Sequence, residues 1–171
     1  MVKWIKRIVA TLVVIVATLL AYLKLALPNV GKAENIKIVA TPEMVKRGEY
    51  LAYHVCACMD CHAHRDWTKF SGPPIEGTDG IGGDVFGKEF GFPGTFYAKN
   101  ITPYASKNWT DGEIMRAITC GVDKNNVAMF PVMPYHNFGT MDKEDIKSIV
   151  AFLRTLKPIK NDIPASEPDF P

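Results

Sequence analysis

The chain has 171 residues, 47% hydrophobic and 22% charged, with 20 basic against 18 acidic side chains and a net charge of +2. The surplus sits at one end: residues 1–30 carry Lys3, Lys6, Arg7 and Lys24 and no acid, leaving 16 basic and 18 acidic side chains for the rest. A main domain with a slight negative balance excludes the polybasic surface of a nucleic-acid binder, so no nucleic-acid partner is expected.

Behind Lys3, Lys6 and Arg7 runs "IVATLVVIVATLLAYL", Ile8 to Leu23, which continues past Lys24 to Leu27. About 20 helical residues rising ~1.5 Å each cross a hydrocarbon core of ~30 Å. Lys24 can carry its amine to the interface, and Trp4 and Tyr22 stand where aromatic belts form. Positive charge ahead of the span predicts an inside N-terminus and an outside remainder. A cleaved signal peptide is the alternative, but its apolar region usually runs only ~7–15 residues. The best small-x-small site, Gly31–Ala33, holds a lysine in its middle, and no cysteine for a lipid anchor comes before Cys56. Residues 1–28 are therefore expected to be a single-pass transmembrane anchor in the cytoplasmic membrane, and 29–40 a polar linker.

"TPEMVKRGEYLAYHV" then predicts a helix with Thr41 as N-cap, Pro42 at the first helical position and Glu43 in the first turn. Met44, Val45, Gly48, Leu51, Ala52 and Val55 share one face. A mid-helix glycine costs up to ~1 kcal/mol against alanine, so Gly48 marks a close backbone crossing, expected against the last helix. Asp66 to Asn108 reads as loop, with eight glycines and three prolines between Gly72 and Gly94. A structureless stretch of that length is expected to wrap something. "WTDGEIMRAITCGV" is the next helix, where Thr110 and Glu113 form a capping box. "DKEDIKSIVAFLRTLK" is the last, capped by Asp142, stopped by Pro158, and striped by Ile146, Ile149, Val150, Leu153 and Leu156. Residues 159–171 form an extended tail. The fold class is all-α, about three main helices with long loops.

Between the first two of these helices lies "HVCACMDCHAHRDW", His54 to Trp67. Cys58-Met59-Asp60-Cys61-His62 is C-x-x-C-H, the attachment signature of a c-type haem. Thiols at this spacing can add to the two vinyl groups of one haem edge, and the adjacent histidine then lies beneath the iron. Zinc requires a second ligand pair or two well-spaced histidines, which Cys120, His64 and His136 do not supply. A redox dithiol requires a βαβ context, which is absent. One covalently attached haem c is expected, with Cys58 and Cys61 as thioethers and His62 as proximal ligand. Met129, Met133, Met141 and His136 are candidates for the distal position. Tyr97, Trp109 or the Asn100 amide could serve a haem propionate or simply pack. Cys56 and Cys120 remain over, and an exported chain with two spare thiols suggests a disulfide between them; two separately buried thiols are the alternative.

The ordered run of C-x-x-C-H after an amphipathic helix, "KNITP" (Lys99–Pro103), "WTDGEIMRAI" (Trp109–Ile118), "FPVMPYHNF" (Phe130–Phe138) and "DKEDIKSIVAFLRTLKP" (Asp142–Pro158) resembles membrane-anchored monohaem class I cytochromes c. The run is similar in pattern to the domains of bacterial alcohol dehydrogenase cytochrome subunits and respiratory chains. The resemblance covers residues 41–158 and implies a class I cytochrome c haem domain. It also implies one-electron transfer without substrate turnover, on the periplasmic side of a respiratory membrane. Redox partners would be a quinol oxidoreductase, a dehydrogenase or a terminal oxidase. The resemblance maps the methionine of "MPY" to Met133 as distal ligand, and Pro131 and Pro134 stiffen that loop. A haem subunit of a larger oxidoreductase complex is the alternative function, and a peroxidase or gas-sensing haem protein a more distant one.

Overall fold

A computed structural model describes residues 2–169; Met1, Phe170 and Pro171, the ends of the expected anchor and tail, lie outside the described residues. The chain divides into two units, Met1–Lys32 and Ala33–Pro171. In the first, α1 (Val2–Ala26) is one helix with no buried residue. Its 25 residues, with a mean hydropathy of 2.4 over the most apolar window, are long and apolar enough to cross a membrane, a property an N-terminal signal sequence shares.

In the second unit, Thr41 caps α2 (Pro42–Tyr50) by accepting from the Met44 N–H at 3.3 Å, as the sequence predicts. The helix continues as a π turn, Leu51–Val55, closed by the Cys56 N–H on the Leu51 carbonyl at 2.8 Å. Gly48 crosses α7 (Lys143–Thr155) where expected: a Cβ there would lie 1.8 Å from the Ser148 carbonyl oxygen and 2.9 Å from Phe152 Cβ. Arg47 and Asp145 tie the same two helices at 2.8 Å on the surface. Ile146, Ile149, Val150 and Leu153 of the predicted stripe are buried, Leu156 only partly, and Phe152, Ala151 and Ser148 widen the buried face. Ile146, Ile149, Val150, Phe152 and Leu153 pack with Leu51, Ala52 and Met59, and with Ile114 and Met115 of α5 (Asp111–Cys120), into one core. Both halves of the α5 capping box are present: Glu113 N–H to Thr110 Oγ1 at 3.2 Å and Thr110 N–H to Glu113 Oε2 at 2.7 Å.

The all-α expectation needs correction, and two further segments pack on the domain. The fold is helix-rich but carries a small antiparallel sheet. Within the expected loop, β1 (Val85–Phe86) pairs with β2 (Gly94–Tyr97), Phe86 opposite Phe96. β2 in turn pairs with β3 (Glu167–Pro168) from the tail. The same stretch also holds α4 (Pro103–Ser106). Within residues 29–40, Ile36 and Ile38 pack against the core and the Ile38 N–H donates to Asp111 Oδ2 at 2.8 Å. The tail lies along the domain: the Tyr97 N–H donates to Ser166 Oγ at 3.1 Å and Lys99 Nζ to the Pro164 carbonyl at 2.7 Å.

Candidate functional site

The π turn and a left-handed Ala57 (φ 51°, ψ 37°) redirect the chain from α2 into α3 (Cys58–His62). Along α3, Met59 and Ala63 are buried in the core at 0% and 1% exposure. Helical spacing puts Cys58, Cys61 and His62 together on one face, and all three are half-buried. The two thiols and the imidazole thus share one face, as C-x-x-C-H requires.

His62 is aimed by the protein. Its Nδ1 lies 2.6 Å from the Lys99 carbonyl oxygen, which fixes Nδ1 as the protonated nitrogen and leaves Nε2 with its lone pair. Ligating histidines are oriented by such a hydrogen bond. Burial pulls the imidazole below its ordinary pKa, with the Lys99 carbonyl opposing, which favours the neutral ring, the form that binds a metal. A hydrogen bond with Cys56, then burial, pushes the Cys58 thiol well up, and burial raises Cys61.

The Lys99 carbonyl is itself held. Gly82 donates its N–H to the His62 carbonyl at 3.0 Å, and a Cβ on Gly82 would lie 2.5 Å from the Lys99 carbonyl carbon. On the other side, Asn100 Oδ1 accepts from the Thr102 N–H and hydroxyl at 2.9 and 2.7 Å. Its amide donates to the Ile159 and Asn161 carbonyls at 2.8 and 3.2 Å. Asn100 is thus a turn and tail anchor, and "KNITP" contributes a main-chain oxygen to the site. Side-chain reasoning missed it, since any residue type can supply a carbonyl. The histidine aimed through Nδ1, on one face with two thiols outside any disulfide, fits a covalently held haem.

The other candidates are dispersed. Met133 is half-buried in the loop between α5 and α6 (Tyr135–Phe138), and its carbonyl accepts from the Tyr135 N–H at 2.8 Å. Met129 is half-buried in the same loop, and His136 is exposed on α6. Met141 packs against the core with its sulfur 3.6 Å from Cys56 Sγ. No disulfide joins Cys56 to Cys120: both are free thiols, Cys56 turned toward Cys58 and Met141, Cys120 3.5 Å from the Thr119 hydroxyl. The π turn sets that direction, which the spacing of cysteines in the sequence does not reveal.

No protein-family model matches the chain. It is similar to the cytochrome c subunit of a quinone-type alcohol dehydrogenase from Gluconobacter oxydans (strain 621H), 32% identical over 125 residues, 70% of this chain and 23% of that protein. It is also similar to the gluconate 2-dehydrogenase cytochrome c subunit of Pantoea cypripedii, 32% identical over 117 residues, 66% of this chain and 23% of that protein. A diheme cytochrome c-type protein of Cereibacter sphaeroides is 26% identical over 115 residues, 66% of this chain and 36% of its own length. The chain spans about a quarter of the length of the dehydrogenase subunits it matches. These similarities support a place in the cytochrome c family.

Proposed function

We propose that this member of the cytochrome c family is a one-haem electron carrier, tethered to the outer face of the cytoplasmic membrane by α1, that accepts electrons from a dehydrogenase. The observation that carries the reading is the α3 face: Cys58, Cys61 and His62 together, with His62 Nδ1 on the Lys99 carbonyl at 2.6 Å. Haem c held there supplies a one-electron iron couple. Cys58 and Cys61 would hold the haem, His62 would offer its Nε2 lone pair to the iron, and the Met133 thioether would be the second iron ligand. A thioether opposite histidine raises the reduction potential, which suits a carrier that passes electrons onward to a quinol oxidoreductase or terminal oxidase.

That the similar proteins are subunits of dehydrogenases favours a second form of the same reading, a haem subunit that stays with its catalytic partner. Purification in mild detergent separates the two: a chain that emerges alone is a free carrier, one that emerges with a dehydrogenase is a subunit. The haem assignment has its own test. A denaturing gel stained for haem peroxidase activity should show a band at the mass of this chain. Cys58→Ala with Cys61→Ala should abolish it. Haem extracted from the unmodified chain by acidic organic solvent would overturn the assignment.

A further inference from the structure

The loop that carries Met133 is fastened at points the C-x-x-C-H motif does not touch. At its base is Gly121, the left-handed C-cap of α5 (φ 65°), whose carbonyl accepts from the Met129 N–H at 2.7 Å. The Tyr135 ring lies flush on the same glycine: a Cβ there would sit 2.4 Å from Tyr135 Cδ1 and Cε1. Both ends of the 129–135 segment therefore converge on one residue. Between them, Phe130 stacks on Phe96 with ring centroids 4.1 Å apart and planes 18° from parallel. Phe92 meets both rings edge-on, at 6.3 Å from Phe96 and 6.2 Å from Phe130. Phe96 is 5% exposed on β2, between β1 and β3, so it is the fixed partner, while Phe130 is 37% exposed.

Resting on the reading of Met133 as the sixth ligand, we propose that Gly121, Tyr135, Phe96 and Phe130 are positioning residues that hold its thioether against the iron. A neutral thioether is a weak ligand, so its bond survives only while the loop is unable to swing away. A thioether has no proton to lose between pH 5 and 12. Its displacement as pH rises comes from groups that lose theirs, such as lysine amines or water. A looser loop therefore yields to them at lower pH.

The test uses the ferric holoprotein and follows the weak long-wavelength sulfur–iron band through a pH titration, with far-UV circular dichroism as a check on the helices. Phe130→Leu should lower the pH midpoint for loss of the band by about one unit, a change of about 1.4 kcal/mol. Phe130→Tyr keeps the stack and should restore the midpoint. Gly121→Ala should lose the band at neutral pH. Gly91→Ala is its control: the same left-handed backbone (φ 79°) with nothing within 4 Å of the added carbon, and an unchanged band expected. If Phe130→Leu and Gly121→Ala both keep the parental midpoint, the positioning role falls and the ligand stands. If the parental protein has no such band, or Met133→Ala keeps it, the ligand assignment falls and the positioning role with it. Should Gly121→Ala fail to fold, the Phe130 pair still decides the matter.

Discussion

Two backbone positions around the site put opposite demands on their side chains. At Gly48 the added carbon would stand 1.8 Å from a main-chain oxygen, and main chain cannot step aside as a flexible side chain can. Replacing glycine by alanine inside a helix ordinarily gains up to ~1 kcal/mol. Here Gly48→Ala should destabilise instead, and Gly48→Leu should cost about 3 kcal/mol or more, the upper end of overpacking. Denaturant unfolding of the two variants measures both; a stabilised alanine variant would mean that α2 and α7 separate easily. Ala57 presents the reverse case, a β-carbon in the left-handed region (φ 51°, ψ 37°) one residue before Cys58. That conformation costs a non-glycine residue about 1–2 kcal/mol. Ala57→Gly should recover about 1 kcal/mol in the same experiment, because Gly enters the region freely although it loses more chain entropy.

At the level of elements, one side chain gathers three segments. Arg154 of α7 donates through Nε and Nη2 to Asp111 Oδ1 at 3.0 and 2.9 Å. It also donates to the Ser106 carbonyl at 2.9 Å and the Trp109 carbonyl at 2.6 Å. The other Asp111 oxygen accepts from Ile38 N–H, so α5, the turn after α4 and the segment before α2 all meet the same ion pair. Arg154→Ala leaves a largely buried carboxylate and two carbonyls short of partners. It should cost about 2–3 kcal/mol. Arg154→Lys should restore little, since a single ammonium cannot reproduce the planar fork. Thermal unfolding of the pair distinguishes this network from a surface ion pair, where lysine would serve nearly as well as arginine.

Across the whole molecule, the tail and the first helix raise separate questions. Asn100 joins the tail to the turn that aims His62, with its amide on two tail carbonyls. Asn100→Asp turns a donor into an acceptor facing those carbonyls and should cost about 1–3 kcal/mol. It should also make residues 159–169 the first site of limited proteolysis, where the parental tail resists cleavage. For α1, the intact mass of the membrane-extracted protein decides between anchor and signal. A mass that includes Trp4 and Tyr22 supports retention, and a mature chain beginning near Glu34 would show that α1 is removed.

Local order alone sufficed for much of this protein. The caps at Thr41, Thr110 and Asp142, the stripe of α7 and the shared face of Cys58, Cys61 and His62 all follow from contacts within about one helical turn, which residue spacing specifies directly. The helical stop of Pro158 and the apolar length of α1 are local in the same sense. Gly48 is an intermediate case: its oddity within a helix shows that something packs closely, but only the packing of α7 names Ser148 and Phe152 as the neighbours. The rest required the folded chain. The Lys99 carbonyl reaches His62 across 37 residues, and a carbonyl has no signature in sequence. β2 is four residues long, too short for its alternation to stand out among phenylalanines and glycines, and its partner β3 lies in the tail. The Phe96–Phe130 stack and the turning of Cys56 toward Met141 join segments with no shared period, so only tertiary packing brings them together.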